Sequence, residues 1–129
     1  MVAHGKNTGG LLAKNFSNTI GSKQSSLGFY ITGNTYTGKH GLSLYLNGIE
    51  PNINDNAKER AIVIHGASYV SQDFISENGR LGRSFGCPAV PVSKHKTIIN
   101  TIKNGSCLFM YYPSAYYFDH SQFVDSDGD

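Results

Sequence analysis

The chain has 129 residues and a formal net charge of +2 at pH 7, with 39% hydrophobic and 16% charged residues. This length suits one domain, and this composition supplies a core and argues against disorder. So small a charge, with no run of Lys or Arg, gives no support for nucleic-acid binding. No apolar stretch approaches the roughly 20 residues that cross a bilayer. Residues 1–6 also lack the apolar segment of a signal peptide.

The first half of the chain predicts short strands joined by turns. The 15 Gly and 8 Tyr of the sequence suit such an arrangement. Residues 1–24 are predicted to be a loop, with at most one short strand piece at the start. Strands are predicted at residues 27–31 and 42–46, the second from its alternation of apolar and polar side chains. Gly and Asn predict turns directly after them, at residues 32–35 and 47–48.

The middle of the chain begins with a polar loop at residues 50–58. The apolar, β-branched run at 61–64 then predicts a strand that is buried on both faces. His65-Gly66 is predicted to close this strand. A short helix is predicted at residues 69–76, followed by a turn at Asn78-Gly79.

The last part of the chain contains the clearest predicted helix, at residues 93–104. Ser93 is predicted to cap this helix and Gly105 to end it. A strand is predicted at residues 107–112. The acidic residues 119–129 are predicted to form a disordered tail, which leaves residues 1–118 as the domain. The tail starts like a calcium loop but ends before the closing Glu, so no calcium site is predicted.

The two cysteines, Cys87 and Cys107, have different surroundings. Cys107 lies in an apolar run and is predicted to be a small core residue. A bridge between the two cysteines stays open, although two cysteines do not make a disulfide scaffold. Cys87 lies between Gly86 and Pro88, where packing alone explains little. A nucleophilic role is therefore considered for Cys87.

Catalysis by cysteine needs a thiolate, a base and donors for the developing oxyanion. In Ser84-Phe85-Gly86-Cys87, the glycine allows a strained turn that brings backbone N–H groups close to a substrate. His65, at the end of a predicted central strand, is the candidate base, although a histidine at a strand end is more often structural. The rival use of Cys and His is a metal site. Neither Cys-x-x-Cys nor His-x-x-x-His is present, so no metal site is predicted.

These residues resemble the L,D-transpeptidases of the YkuD type, which carry His-Gly at a strand end and, after a variable loop, Ser-x-Gly-Cys. The closer resemblance is to the murein L,D-transpeptidase catalytic domain family. Its sequence blocks are matched here in order, at residues 2–7, 24–30, 38–41, 59–66 and 79–91. The resemblance spans residues 2 to about 113, and several ordered blocks are far more specific than a lone Ser-x-Gly-Cys.

The resemblance implies a mechanism on peptidoglycan stem peptides that needs no cofactor. Cys87 would attack a stem carbonyl and form a thioester, and an amine or water would resolve it. His65 would move the proton, with the Gly66 carbonyl orienting its ring. The N–H groups of Gly86 and Cys87, with Ser84 nearby, would form the oxyanion hole.

Four residues are further candidates for substrate contacts: Arg80, Arg83, His40 and Phe85. One of the two arginines would contact a substrate carboxylate, or both would be solvated surface residues. Phe85 stands where the broad family often has His. The family implies a location in the periplasm or cell envelope.

The predicted fold is mainly β with a minor α+β character: a mixed, sandwich-like sheet with one or two short helices. The site is predicted in a cleft above the strand that ends at His65. Domains of this subgroup begin with further strands upstream, so the resemblance implies a truncated N-terminus and an exposed sheet edge. Three functions stay open: an L,D-transpeptidase, an L,D-carboxypeptidase or crosslink hydrolase of the same fold, and an inactive wall-binding domain.

Overall fold

A computed structural model describes residues 1–124 of the chain. The elements run in the order β1 (Gly28–Gly38), β2 (Gly41–Gly48), β3 (Val63–Ala67), α1 (Gln72–Asn78), β4 (Ala89–Pro91), α2 (Val92–Ile102), β5 (Cys107–Met110) and α3 (Ala115–His120). The strands form one mixed sheet in the order β4-β3-β2-β1-β5. The mainly β prediction is confirmed. Among residues 1–124 no helix has the length and apolar character to cross a membrane.

Strands β1 and β2 form a long antiparallel hairpin that turns at Lys39–His40. The turn predicted at residues 32–35 is wrong, because β1 continues through it and only shifts its register between Thr32 and Thr35. Bulges and turns use the same residue types, so composition did not separate them. The turn predicted at residues 47–48 is also wrong, because both residues pair with β1.

Strand β3 is the centre of the candidate site. It begins and ends later than the predicted 61–64, so His65-Gly66 lies within the strand and not after its end. All five residues of β3 are buried. Strand β2 pairs with β3 on one side and β4 runs parallel to it on the other, so β3 lies inside the sheet. Ala3 pairs with Ala89 through two backbone hydrogen bonds of 2.9 Å and covers part of the outer edge of β4.

Helix α2 covers one face of the sheet. Ile99 is fully buried in the core cluster that also contains Tyr30, Leu44 and Ile64. The helix was predicted nearly in place, but the predicted cap at Ser93 is wrong. The residue before the helix is Pro91, whose side chain makes no capping hydrogen bond and whose ring restricts φ.

Helix α1 lies a little later than the predicted residues 69–76. Ser71 caps it by accepting a 3.0 Å hydrogen bond from the Phe74 N–H. Gly79 ends it in the left-handed conformation, with φ 79°. The helix lies between β3 and the loop that leads to Cys87, so its two caps set the start of that loop.

Strand β5 is an edge strand and exposes alternate side chains. Leu108 and Met110 pack against the core, whereas Cys107 and Phe109 face outward. The prediction that Cys107 is a core residue was therefore wrong, because the apolar run does not say which residues face inward. Cys87 and Cys107 are both free thiols.

Helix α3 was not predicted, and it ties the end of the described chain to the sheet. Buried Tyr117 donates a 2.8 Å hydrogen bond to Oε2 of buried Glu50, which also accepts from the Phe29 N–H at 2.8 Å. Ser121 donates to the other carboxylate oxygen. Gly28 is required here, because a Cβ would lie 2.1 Å from Oε2 of Glu50. Of the predicted tail, residues 125–129 lie outside the described residues.

The Tyr117–Glu50 hydrogen bond predicts a specific loss of stability. Tyr117→Phe removes the donor and should lower the free energy of unfolding by about 1–3 kcal/mol. Tyr116→Phe is the matched control, since Tyr116 is exposed, and it should change stability by less than about 0.5 kcal/mol. Urea unfolding of both variants measures the difference. Equal stabilities for the two variants would contradict the role of Glu50 as an anchor for α3.

Candidate active site

Hydrogen bonds of Ser84 stabilise the turn that carries Cys87. Ser84 Oγ donates a 2.6 Å hydrogen bond to the Cys87 carbonyl and accepts one of 3.2 Å from the Gly86 N–H. Ser25 Oγ donates to the Gly86 carbonyl at 2.8 Å. Gly86 has φ 129°, and a Cβ there would lie 2.9 Å from the Ile62 side chain. This position therefore requires glycine.

Of the two N–H groups expected in an oxyanion hole, only one is free in this state. The Gly86 N–H is used by Ser84. The Cys87 N–H has no hydrogen-bond partner among residues 1–124. The Cys87 N–H is therefore the donor that a bound carbonyl oxygen can reach without breaking the turn.

The thiol of Cys87 is hydrogen-bonded to the backbone around the start of β3. It accepts from the Val63 N–H at 3.4 Å and donates to the Ala61 carbonyl at 3.5 Å. Burial raises the pKa of the thiol, while the Val63 N–H and the Arg60 charge act in the opposite direction. The structure therefore holds Cys87 as a protonated thiol at neutral pH.

The imidazole of His65 is almost completely buried, with 3% of its surface exposed. Its Nδ1 lies 3.1 Å from the Gly66 carbonyl, which leaves Nε2 as the nitrogen without a hydrogen-bond partner within residues 1–124. The ring of His40 stacks on it, with centroids 4.3 Å apart and planes 16° apart. Burial, more than His40 and Lys39, lowers the pKa of His65 below its ordinary value. His65 is therefore neutral at pH 7 and can accept a proton.

Cys87 and His65 lie on neighbouring segments, and no hydrogen bond joins their side chains within residues 1–124. The parallel register pairs His65 with Ala89, so Cys87 lies beside Val63, two residues before His65. Two residues of a strand span about 7 Å. The described contacts of the thiol are with the backbone of residues 61 and 63. Proton transfer therefore requires the thiol to turn away from Val63.

Gly66 allows close packing of α2, in addition to offering its carbonyl to His65. A Cβ at Gly66 would lie 2.7 Å from Cγ of His95 on α2. His95 is buried, and its Nδ1 lies 2.7 Å from the Val92 carbonyl, which fixes the ring. The close approach of α2 to β3 thus depends on the absence of a side chain next to the candidate base.

The other predicted contacts are not all brought to the site. Arg83 donates to the carbonyls of Gly9, Leu81 and Gly82, so its guanidinium is a structural support. Arg80 is exposed just after α1. Phe85 is 73% exposed beside the nucleophile. His40 covers the candidate base directly.

Three cationic side chains lie near the Cys87 turn and were not predicted as site residues from the sequence. The ammonium groups of Lys6 and Lys23 lie 5.9 and 5.4 Å from the centre of the Phe85 ring. Arg60 lies against Gly86, since its Nη2 would be 3.1 Å from a Cβ there. Lys23 has φ 57° and the residue after Arg60, Ala61, has φ 55°. Side-chain directions that depend on such rare backbone conformations leave little signal in a sequence.

No group of three or more His, Cys, Asp or Glu side chains placed to hold a metal ion occurs in the part of the chain that the structure describes. The groups at the site are a thiol, an imidazole and backbone donors. This set suits acyl transfer through a thioester.

The burial of His65 predicts a titration below its ordinary pKa of 6.5. The folded protein favours the neutral ring, so the unfolded chain takes up the proton first as the pH falls. Stability is therefore fully present above pH 6.5 and is lost as the pH falls through the lower folded pKa. NMR titration of the imidazole, assigned with His65→Gln, measures the midpoint. A midpoint at or above 6.5 would contradict the burial of a neutral ring.

Comparison with known proteins identifies a family for the chain. The family model described as the L,D-transpeptidase catalytic domain matches residues 1–111, which include β1 to β5 and both Cys87 and His65. Comparisons with curated proteins and with solved structures gave no match. The matched range covers well over half of the 129 residues. The chain belongs to the L,D-transpeptidase catalytic domain family.

Proposed function

We propose that this chain is a cysteine acyltransferase that forms L,D-crosslinks between peptidoglycan stem peptides in the cell envelope. Family membership supports a peptidoglycan-related transpeptidase function. The observation that carries the finer proposal is the pairing of β3 with β4. It places a free cysteine thiol beside a strand whose buried histidine is neutral and fixed at Nδ1.

The first half of the proposed reaction forms the acyl-enzyme. The Cys87 thiol turns from Val63 towards His65 and gives its proton to Nε2 as Sγ attacks the carbonyl of the donor stem. The S–C bond forms, and the negative oxygen is stabilised by the Cys87 N–H. The C–N bond to the terminal D-residue then breaks, and His65 returns the proton to the leaving amine. The product is a Cys87 thioester.

The second half releases the thioester. The amine of an acceptor stem attacks the thioester carbonyl, and His65 takes a proton from that amine. The C–S bond breaks as the new C–N bond is completed, and the thiol is re-formed with the proton held by His65. If water attacks in place of the amine, the same bonds to sulfur break, the same proton transfers occur, and the product is a free carboxylate. The acceptor alone therefore separates a transpeptidase from an L,D-carboxypeptidase.

The resting arrangement fits a site that is assembled by its substrate. The thiol is protonated and bonded to backbone, and the base is covered by His40. Catalytic hydrogen bonds in unliganded enzymes are often long or absent and form in the substrate complex. A substrate that displaces His40, and whose carbonyl oxygen accepts a hydrogen bond from the Cys87 N–H, would bring the Cys87 thiol and the His65 imidazole together.

The proposal predicts transfer that depends on one of the two thiols. Incubation with a disaccharide-tetrapeptide donor and an amine acceptor should give crosslinked product detectable by mass spectrometry. Cys87→Ala should lower the rate of crosslinking at least about 10³-fold, because the thioester can no longer form in the Cys87 turn. Cys107→Ala is the matched control and should keep the activity, since Cys107 is exposed on the far edge strand β5.

Product identity decides between the related functions. Crosslinked dimers support the transpeptidase, whereas tripeptide without dimer would replace it with a hydrolase that uses the same nucleophile. Folded protein with no product would contradict the proposed acyltransferase and favour a wall-binding domain. Equal products from Cys87→Ala and the parent chain would contradict the role of Cys87 as the nucleophile.

A further inference from the structure

Arg60 is held firmly beside the Cys87 turn. Its Nη1 donates to the Ser17 carbonyl and to Ser26 Oγ, both at 2.8 Å. Its Nη2 donates to Ser22 Oγ at 3.2 Å and to the Gln24 carbonyl. The side chain is half-buried, and four hydrogen bonds fix the position of its charge.

This charge has no carboxylate partner among its contacts within residues 1–124, since all four acceptors are neutral oxygens. A partly buried cation without an anion is costly, and proteins normally pair such groups. The ionisable groups whose negative charge would act on Arg60 are Tyr30 and Cys87. Burial raises the pKa of Tyr30 far above its ordinary value, so Tyr30 stays neutral. Cys87 is the group left that can provide an anion, which it does only when its thiol ionises.

Two backbone neighbours, Gly86 before Cys87 and Ala61 after Arg60, place the Arg60 charge near the Cys87 thiol. On one side, Nη2 of Arg60 lies against Gly86, the residue before Cys87, where a Cβ would come within 3.1 Å. On the other side, the carbonyl of Ala61 accepts from the thiol at 3.5 Å. Ala61 has φ 55°, a conformation that costs a non-glycine residue energy and tends to persist where function depends on it.

We propose that Arg60 is a positioning residue that supplies the positive charge for the Cys87 thiolate. The proposal rests on the role of Cys87 as the nucleophile. His65 is neutral in the resting state and cannot supply this charge before it accepts the proton. Arg60 is charged throughout, so it stabilises the thiolate both when the thiol first ionises and when the thioester releases it. Within residues 1–124, Tyr30 and Tyr69 also interact electrostatically with Cys87, and burial raises the pKa of both, so they are neutral at pH 7.

The test is the alkylation rate of Cys87 by iodoacetamide as a function of pH, which requires no peptidoglycan substrate. Peptide mass spectrometry follows Cys87 and Cys107 in the same sample, so exposed Cys107 is an internal reference. Removing the charge in Arg60→Met should raise the apparent pKa of the Cys87 thiol by about one unit. This shift would slow its alkylation at pH 7–8 about tenfold relative to Cys107.

Two variants separate charge from support. Arg60→Lys keeps the charge and should stay within about threefold of the parent rate. Ser26→Ala removes an acceptor of Arg60 without changing its charge and should leave the pH midpoint unchanged. Thermal unfolding shows which variants are folded. If Arg60→Met does not fold, Arg60→Gln, which retains amide donors, takes its place with the same expectation.

Two results would overturn the proposal. One is an unchanged pH midpoint for Cys87 in the folded variant that lacks the charge. The other is an equal change in Arg60→Lys, Ser26→Ala and Arg60→Met that follows their loss of stability. Because alkylation reads the thiol directly, these outcomes are distinct from a failure of the muropeptide assay.

Discussion

Strand β3 meets helix α2 at a glycine, and the candidate site depends on that contact. Gly66 has no side chain, so His95 of α2 can pack directly on the backbone of β3. The same residue offers its carbonyl to Nδ1 of His65. Packing on one face of the strand and orientation of the base on the other therefore come from one position. A larger residue at 66 would push α2 away and would disturb the base through the shared backbone.

The candidate site combines an imidazole of fixed orientation with a thiol that is hydrogen-bonded to the backbone. His65 is buried, neutral and limited to one orientation by the Gly66 carbonyl. The Cys87 thiol is protonated and occupies the backbone groups at the start of β3. Such a thiol is a poor nucleophile until its environment changes. In the proposed mechanism, the charge on Arg60 and the neutral imidazole of His65 lower the cost of that change without making the resting thiol reactive.

Much of the fold followed from local sequence, and the failures have a common cause. The apolar run before His65 and the isoleucines of α2 located the central strand and the helix, because hydrophobic periodicity is local. The bulge in β1, the exposure of Cys107 and helix α3 were missed, because pairing register and the buried Glu50 contacts join residues far apart in sequence. The candidate nucleophile and base came from motif and resemblance together. Arg60 lay within a matched block, but its proximity to Gly86 joins residues far apart in sequence, which a local pattern does not show.

Intact-mass spectrometry of the folded protein with a carbapenem would show whether Cys87 is an activated nucleophile. A carbapenem presents a reactive amide carbonyl that resembles the acyl donor, and ring opening by a thiolate leaves the whole drug on the protein as a thioester. If Cys87 is the nucleophile, a single adduct forms on the parent chain and on Cys107→Ala, and none forms on Cys87→Ala. An adduct that survives Cys87→Ala would contradict the assignment of the nucleophile. The absence of any adduct on folded, reduced protein would contradict the claim that this site activates its cysteine.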